Sequence, residues 1–575
     1  MTTYEDVIGY VVGGSLKEGL RVRLTVPPQA VQEGSFVVIE DAGWLFYGLV
    51  TDLQLGATDP RFADEQSELR LPAQVAELLH GQTLFTTLAV LPALMIEAGP
   101  DPASPEYPAW RAAHPDDESR TLPVKTVPAH HAPVRMAQAG DIAQIFGKPG
   151  HKGNFVLGYT REQGLPVCVD LDKFVQRSSG IFGATGTGKS FLTRIILAGL
   201  MQHRKASVLM FDMHNEYAFD DSASDTNETV VGLKTKFGSR VRVVALGRGS
   251  TIRNKTPDFH LELAESDIQP EDVELLSREL NLKETTATTL DALVHSFGRQ
   301  RWLHEFRKMR VGALDEIEDE NGKLRKVPAA DSVAAWANEV GVNVTAAEAL
   351  HSKLGRLFNL PYLVEQPAAD TIGEIIKALK ASQHVILSFA GHEADLDYLL
   401  VANLLTRRIR HAWEEETNQF RSHGGTAPHP LVIAVEEAHK LLNREMASQT
   451  AFSTIARELR KYYVTLLIID QRPSQIYDEV MSQLGTRISG WLGDEADIQA
   501  VLSGLAGREA LRGMLAHLQP KQEVLLLGWG VPMPLPVRSR RYDAQFYREL
   551  FGNQEAARTQ AQILEELGYG SEEEG

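Results

Sequence analysis

The run Gly183-Ala184-Thr185-Gly186-Thr187-Gly188-Lys189-Ser190 constrains this chain most, because it matches the spacing G-x-x-x-x-G-K-[ST] at every fixed position. The apolar pair Ile181-Phe182 precedes the run, and residues 191–200 continue with helical spacing. A strand, a glycine-rich loop and a helix in this order direct backbone N–H groups and a positive helix end at a polyphosphate. In this pattern Lys189 contacts the β- and γ-phosphates, and the Ser190 hydroxyl binds Mg²⁺. The chain is therefore expected to bind and hydrolyse a nucleoside triphosphate, with ATP and Mg²⁺ as its cofactors.

Length, charge and cysteine content limit the class of protein. The chain has 575 residues, which is too long for a single hydrophobic core, so two or three domains are expected. A formal net charge of −18 argues against a surface coated with nucleic acid, but it is compatible with DNA held in a local basic channel. The single cysteine, Cys168, allows no disulfide framework, which suits a reducing cytoplasm.

No targeting or membrane segment is expected. The start of the chain, Met1-Thr2-Thr3-Tyr4-Glu5-Asp6, lacks the basic and then apolar pattern of a signal peptide. No apolar run is long enough to span a bilayer. Together with the cysteine content, these features predict a cytoplasmic protein that has no membrane partner.

The order of apolar runs predicts a multi-domain fold. Residues 1–160 contain short alternating strands separated by turns, which is typical of a small N-terminal β-barrel. Residues 161–260 and 381–542 alternate apolar strands with helical stretches, the pattern of a RecA-like α/β core with a parallel sheet. Residues 261–380 are expected to form a helical insertion that splits this core, with a polar loop at residues 315–326. Residues 543–575 are expected to form a short helical tail with an acidic end.

A second motif ends an apolar strand in two carboxylates, in the run Leu431-Val432-Ile433-Ala434-Val435-Glu436-Glu437. A phosphate-loop ATPase needs one acid for the Mg²⁺ shell and one base for the attacking water. We assign Glu436 to the metal and Glu437 to the water. The alternative is a strand followed by a helix whose first turn favours acids through its dipole. Glu436 also departs from the commoner aspartate, so its contact with Mg²⁺ is expected to be longer or to pass through water.

Two further segments carry candidate catalytic side chains. Gln471 follows the apolar strand that ends in Ile468-Ile469-Asp470, and it is placed to sense the γ-phosphate or to orient the water. The alternative for Gln471 is an ordinary loop residue before a turn proline. Between the two strands lies a basic stretch that contains Arg457 and Arg460. In a ring ATPase one of them, with Arg457 as the first candidate, is expected to act on the nucleotide of a neighbouring subunit; by itself, the stretch is only the basic face of a helix.

Taken in order, these motifs resemble those of the HerA family of hexameric DNA translocases, which are relatives of FtsK. The resemblance rests on Gly183–Ser190, Asp212-x-His214-x-Glu216-Tyr217, Val435-Glu436-Glu437-Ala438-His439, Ala456-Arg457-Glu458-x-Arg460-Lys461 and Gln471-Arg472-Pro473. The N-terminal strands, including Val7-Ile8-Gly9-Tyr10-Val11, resemble the N-terminal barrel of that family. The likeness covers most of the chain and is weakest over residues 261–380.

The resemblance implies a homohexamer with ATP at the subunit interfaces and duplex DNA in a central pore. It also implies that a NurA-type nuclease docks on the barrel side, so that the ring works in DNA end resection and repair. Arg177 matches a basic position of the family and is expected to touch the nucleotide. Asp212 and Glu216 are expected to lie around the nucleotide site rather than to bind a structural metal.

Two other functions stay open at this point. Some HerA-like rings organise an effector, such as a sirtuin-like NADase or a nuclease, in anti-phage defence, and the barrel surface carries no motif that separates this role from a repair motor. The acidic charge is also compatible with an ATPase that does not act on DNA. Five cations that flank a strand of the core are candidates for contact with DNA: Lys234, Lys236, Arg248, Arg253 and Lys255.

Overall fold

The computed structural model describes residues 6–58, 84–99, 103–113, 121–151, 153–222, 229–283, 285–318, 324–392, 394–446, 452, 459–505 and 507–552. The chain divides into two compact units. The first comprises Met1–Gly199, Gln471–Ser474 and Leu484–Gly575, and the second comprises Leu200–Asp470 and Gln475–Gln483. Among the helices in these described ranges, none has the length and apolar character needed to cross a bilayer.

The first unit begins with an antiparallel β-barrel. Its strands are β1 (Val7–Ser15), β2 (Gly19–Leu24), β3 (Phe36–Asp41), β4 (Trp44–Ala57), β5 (Leu84–Glu97), β6 (Leu122–Pro123) and β7 (Pro133–Met136). Their order is β2-β1-β7-β3-β4-β5, and pairing of β2 with β5 closes the barrel, while β6 pairs only with β5. The alternating pattern of these strands turns one set of side chains inward, so Val22, Val50 and Val90 are fully buried in the core.

The rest of the first unit carries a mixed sheet. Its strands are β8 (Asn154–Tyr159), β9 (Pro166–Asp170), β10 (Ser179–Phe182), β23 (Thr486–Ser489), β24 (Glu523–Gly528) and β25 (Leu535–Ser539), in the order β10-β23-β24-β25-β8-β9. The strands β10 and β23 are parallel, and the other neighbours are antiparallel. The helices of this unit are Tyr107–Ala113, Ala139–Phe146, Leu171–Gln176, Glu495–Leu502, Arg508–Ala516 and Ala544–Phe551, and Lys189–His203 begins here and ends in the second unit.

The second unit is built on a parallel sheet. Its strands are β11 (Ser207–Asp212), β14 (Val241–Leu246), β15 (Phe259–Leu261), β20 (His384–Ser388), β21 (Leu431–Glu436) and β22 (Val464–Asp470), in the order β15-β14-β20-β11-β21-β22. All neighbouring pairs are parallel, so every strand ends at the same edge of the sheet. Both faces are covered, and the strands are therefore continuous apolar runs.

Short strand pairs and many helices complete the second unit. The pairs are β12 (Asp221–Ser222) with β13 (Thr229–Val230), β16 (Leu263–Ala264) with β19 (Leu363–Val364), and β17 (Leu314–Glu318) with β18 (Leu324–Pro328). The helices are Leu233–Phe237, Pro270–Leu275, Thr286–Phe297, Trp302–Lys308, Val333–Val340, Val344–Phe358, Thr371–Lys380, Asp395–His423, His439–Leu442 and Asp478–Gln483. The expected fold class, a barrel followed by a phosphate-loop α/β core with a helical insertion, is confirmed.

The insertion differs from the expectation in one place. Residues 315–326 were expected to form a polar loop, but β17 and β18 make a hairpin there. The pairing places Glu316 opposite Lys326, and opposite charges across two strands stabilise their pairing. The dipeptide Asn321-Gly322 between the strands is a hairpin signal that the polar composition obscured.

A buried histidine in the central sheet makes the second unit sensitive to acid. His384 opens β20, and burial, together with the nearby positive groups Arg240, His429 and Arg204, lowers its pKa to about 3. In the unfolded chain a histidine titrates near pH ~6.5. The neutral ring therefore contributes stability that is complete above the unfolded pKa and is lost as the pH falls from there towards the folded pKa.

We expect the unfolding free energy to drop by about 2 kcal/mol between pH 7 and pH 5 through His384 alone. Urea unfolding at both pH values measures this difference. The variant His384→Gln should lose the corresponding part of the pH dependence, whatever its stability at pH 7. The matched control His411→Gln, at an exposed position of the helix Asp395–His423, should retain it. An unchanged difference in His384→Gln would contradict the prediction.

Candidate functional site

The phosphate loop is the first group of candidate residues. It connects β10 to the helix Lys189–His203 in the first unit. Gly186 and Gly188 have φ angles of 77° and 88°, a region that favours glycine, so the two residues allow the tight turn of the loop. Thr185 and Gly186 are exposed, and Lys189 and Ser190 are half-buried at the helix start. The first turn of this helix carries no acidic side chain. An anion at this end therefore meets the positive end of the helix dipole and no opposing charge from the first turn.

The loop is held from two sides by backbone contacts. The Thr187 Oγ1 donates to the carbonyl of Ala184 at 2.7 Å, and the N–H of Ala184 donates to the carbonyl of Trp491 at 3.0 Å. The N–H of Lys521 donates to the carbonyl of Thr187 at 3.2 Å. Trp491 and Lys521 were missed by the sequence analysis, because neither belongs to a recognisable motif.

The structure brings Gln471 to the phosphate loop. The Thr185 Oγ1 donates to the Gln471 Oε1 at 2.6 Å, and both residues belong to the first unit. This contact supports a role of Gln471 beside the phosphates rather than that of an ordinary loop residue. Arg177 lies before β10, and its guanidinium carbon is 4.3 Å from the centre of the Trp529 ring. Its predicted contact with nucleotide stays a prediction.

Further candidate residues lie where β21 ends, in the second unit. Glu436 is 6% exposed, and its Oε1 accepts a hydrogen bond of 2.6 Å from the Tyr217 hydroxyl. The Tyr398 hydroxyl donates to the backbone carbonyl of Glu436 at 2.7 Å. Burial raises the pKa of the Glu436 carboxyl well above its ordinary value, and the charge of Asp212 raises it further. A cation nearby would oppose this shift and favour the ionised carboxylate.

Glu436 fits a magnesium ion that is held together with phosphate oxygens and water. Its Oε2 is buried and has no hydrogen-bond partner among the described atoms. A carboxylate oxygen is a ligand that Mg²⁺ prefers, and this ion usually keeps several waters and takes only one or two carboxylates. In the described ranges no group of three or more His, Cys, Asp or Glu side chains could hold a metal by itself. The contact of the Ser190 hydroxyl with Mg²⁺, which the phosphate-loop pattern predicts, stays a prediction.

Glu437 occupies a strained backbone position directly after β21. Its φ angle is 45°, which is uncommon for a residue with a long side chain and is often found at functional sites. Its Oε2 lies 3.6 Å from the Nδ1 of His439. The backbone N–H of His439 donates to the Oδ2 of Asp470 at 2.7 Å, and its ring is 3.0 Å from the same oxygen. The hydrogen bond that the His439 ring donates to the Asp470 carboxylate raises the pKa of His439.

Asp212 positions the tyrosine that contacts Glu436. Asp212 is fully buried where β11 ends, and its Oδ1 and Oδ2 accept hydrogen bonds from the N–H groups of Glu216 and Tyr217 at 2.8 and 3.0 Å. These bonds fix the turn that carries the Tyr217 ring to the carboxylate. The motif Asp212-x-His214-x-Glu216-Tyr217 therefore supports the acid pair through its tyrosine, a role that sequence reasoning had not given to Tyr217.

One of the two arginine candidates and all five candidate DNA contacts lie in the described part of the chain. Arg457 lies outside the described residues, and Arg460 is exposed in the short 3-10 helix Leu459–Tyr462. The Nζ of Lys234 is 2.9 Å from the Oδ2 of Asp258, and Arg253 pairs with Asp221. Both cations thus form ion pairs within the chain. Arg248 is exposed to solvent.

The family comparison matches the part of the chain that contains the phosphate loop and the strands β11, β14, β15 and β20 of the parallel sheet. Residues 155–409 match the family model described as the helicase HerA central domain. This part of the chain is similar to the HerA central domain. The resemblance to the HerA family is thereby confirmed, and the chain is an ATPase of the phosphate-loop class.

Relatives described as HerA helicases match most of the chain. The DNA double-strand break repair helicase HerA of Sulfolobus acidocaldarius is 22% identical over 543 residues, which cover 94% of each chain. Among solved structures, VirB4 of Thermoanaerobacter pseudethanolicus is 17% identical, with a TM-score of 0.42, and the match covers 70% of this chain and 99% of that one. The plasmid coupling protein TrwB in complex with ADP and Mg²⁺ is 14% identical, with a TM-score of 0.40 and coverage of 71% and 93%.

Proposed function

We propose that this chain is an ATP-driven motor that moves duplex DNA through the pore of a homohexameric ring and works with a nuclease in DNA end resection and repair. The observation that carries the proposal is the match to a HerA repair helicase over 94% of both chains. A relative that shares only the ATPase domain would leave the barrel and the insertion unexplained. A match of this length favours the same overall task.

The described side chains have the chemistry for each step of hydrolysis. The backbone of residues 183–190 cradles the phosphates, and Lys189 neutralises the charge of the β- and γ-phosphates. Ser190 and Glu436 would each offer an oxygen ligand to Mg²⁺. Glu437 accepts a proton from the attacking water, and Gln471 orients that water or senses the γ-phosphate.

The proposal includes a homohexameric ring and a nuclease that docks on it. A neighbouring subunit supplies an arginine, Arg457 or Arg460, that stabilises charge in the transition state, so hydrolysis requires the assembled homohexamer. The nuclease of NurA type docks on the barrel face. Light scattering with ATP and Mg²⁺ tests the ring, because a homohexamer has six times the 63.5 kDa mass of one chain. A monomer under these conditions would contradict the ring.

DNA is expected to stimulate the ATPase, and the stimulation is expected to weaken steeply with salt. A chain with a net charge of −18 holds DNA only through a focused set of contacts from Lys and Arg to phosphates. Each contact that releases a counterion adds about −0.9 to the slope of log affinity against log salt, so one contact from each of six subunits gives a slope of about −5. Because backbone contacts carry no sequence information, unrelated duplexes should bind alike.

The test measures ATPase rate and duplex affinity across a salt series with two unrelated duplex sequences. The rate without DNA over the same series is the control for direct effects of salt on hydrolysis. A flat salt response, or a strong preference for one sequence, would contradict translocation through a pore. Either result would favour the alternative in which the ring is a scaffold for an effector.

A further inference from the structure

The residue that directly follows the phosphate loop exposes a large aromatic ring. Phe191 is 38% exposed, whereas its neighbour Leu192 in the same helix is 5% exposed. Most large apolar side chains of the described residues are buried, and Phe191 is one of the exposed exceptions, directly after the phosphate loop. The ring lies next to Ser190, at the end of the loop from which the helix continues.

A second ring faces Phe191 from the C-terminal part of the first unit. The centres of the Phe191 and Tyr542 rings are 6.4 Å apart, and the ring planes are tilted by 46°. Tyr542 is held in place by the helix Ala544–Phe551, because its ring packs 5.8 Å from that of Phe546 and its hydroxyl lies 2.5 Å from that of Tyr547. Tyr542 is therefore anchored beside Phe191 and is itself half-buried.

A buried guanidinium fixes both rings. Arg194 is 4% exposed, and its guanidinium carbon lies 5.5 Å from the centre of the Phe191 ring and 5.8 Å from that of Tyr542. A cation at such distances from aromatic faces is attracted by both rings. Phe191 thus lies beside the guanidinium and the Tyr542 ring while 38% of its surface stays exposed, which leaves room for contact with a flat ligand.

We propose that Phe191 and Tyr542 form the platform on which the base of the bound nucleotide stacks. The inference rests on the proposed nucleotide function. The loop backbone holds the α- and β-phosphates while Lys189 reaches the β- and γ-phosphates, so the base extends from the α-phosphate away from Lys189. The ring pair continues the loop at its helix side and offers a π-face, which any nucleobase can use. The occupant is therefore the nucleobase of the same nucleotide.

The test compares two ligands that share phosphates but differ in the base. Calorimetry measures the affinity of ATP and of inorganic tripolyphosphate, both with Mg²⁺, for the full chain. We expect Phe191→Ala to weaken ATP binding about tenfold and to leave tripolyphosphate binding unchanged. Phe191→Trp should restore ATP binding, and its tryptophan fluorescence should change with ATP but not with tripolyphosphate. The control Leu55→Ala removes an 88% exposed apolar side chain of the barrel and should affect neither ligand.

The outcomes separate this inference from the proposed function. Equal weakening of both ligands in Phe191→Ala would mean that the ring only supports the loop, and it would overturn the platform. Unchanged ATP binding in Phe191→Ala, or no difference in the fluorescence response of Phe191→Trp between the two ligands, would also overturn it. Failure of the unmodified chain to bind either ligand would overturn the proposed nucleotide function and the platform with it.

Discussion

Replacement of Lys189 by alanine is expected to reduce ATP hydrolysis by at least about 10³-fold. Phosphoryl transfer depends on positioning and on stabilisation of negative charge, and Lys189 is the side chain of the loop that reaches the β- and γ-phosphates. The half-buried position of Lys189 at the helix start makes its charge less screened than that of an exposed lysine. Phosphate release under saturating ATP, with a parallel measurement of ATP affinity, tests this prediction.

The control for this substitution is Lys173→Ala. Lys173 lies in the helix Leu171–Gln176, also in the first unit, and its side chain is 46% exposed. The control changes the net charge by the same amount and should hydrolyse ATP normally. Thermal unfolding of both variants excludes a loss of fold as the cause. Near-normal hydrolysis by Lys189→Ala would show that the phosphate loop is not part of the catalytic site.

The substitution Glu437→Gln is expected to give a protein that binds ATP and does not turn it over. A glutamine side chain has the same shape as glutamate but cannot accept the proton of the attacking water. The positive φ angle at this position imposes the same steric cost on both residues, so the backbone after β21 should remain as it is. The expected loss in turnover is at least about 10²-fold, the lower range for removal of a general base.

Retention of radiolabelled ATP and single-turnover release of phosphate distinguish this trapped state from a failure to bind. The matched control is Glu415→Gln, which makes the same chemical change at a side chain that is 63% exposed in the helix Asp395–His423. This control should bind and hydrolyse ATP normally. Turnover by Glu437→Gln close to that of the unmodified chain would show that another group acts as the base.

The strands and helices of the core were predictable where local pattern decides conformation. The apolar runs that become β20, β21 and β22 are long enough and apolar enough to be recognised without knowledge of their neighbours. The helix Thr286–Phe297 follows from its spacing alone. The hairpin of β17 and β18 was missed because the apolar residues of each strand are three positions apart, so no period-two alternation marks them.

What the sequence determined by itself is the chemistry available at the candidate site. The phosphate loop, the acid pair Glu436-Glu437 and Gln471 are recognised from residue types at fixed short spacing, since each motif is formed within one strand end or one turn. Their order along the chain was enough to indicate the HerA family.

Only the tertiary structure decided which distant side chains support these motifs. Tyr217 donates to Glu436 across 219 positions of sequence, and Gln471 meets Thr185 across 286. The ring of Tyr542 faces Phe191 only because the segment after β25 packs against the helix that starts at Lys189. Such contacts depend on the order of strands in a sheet and on the packing of helices upon it, and neither leaves a periodic signal in the local sequence.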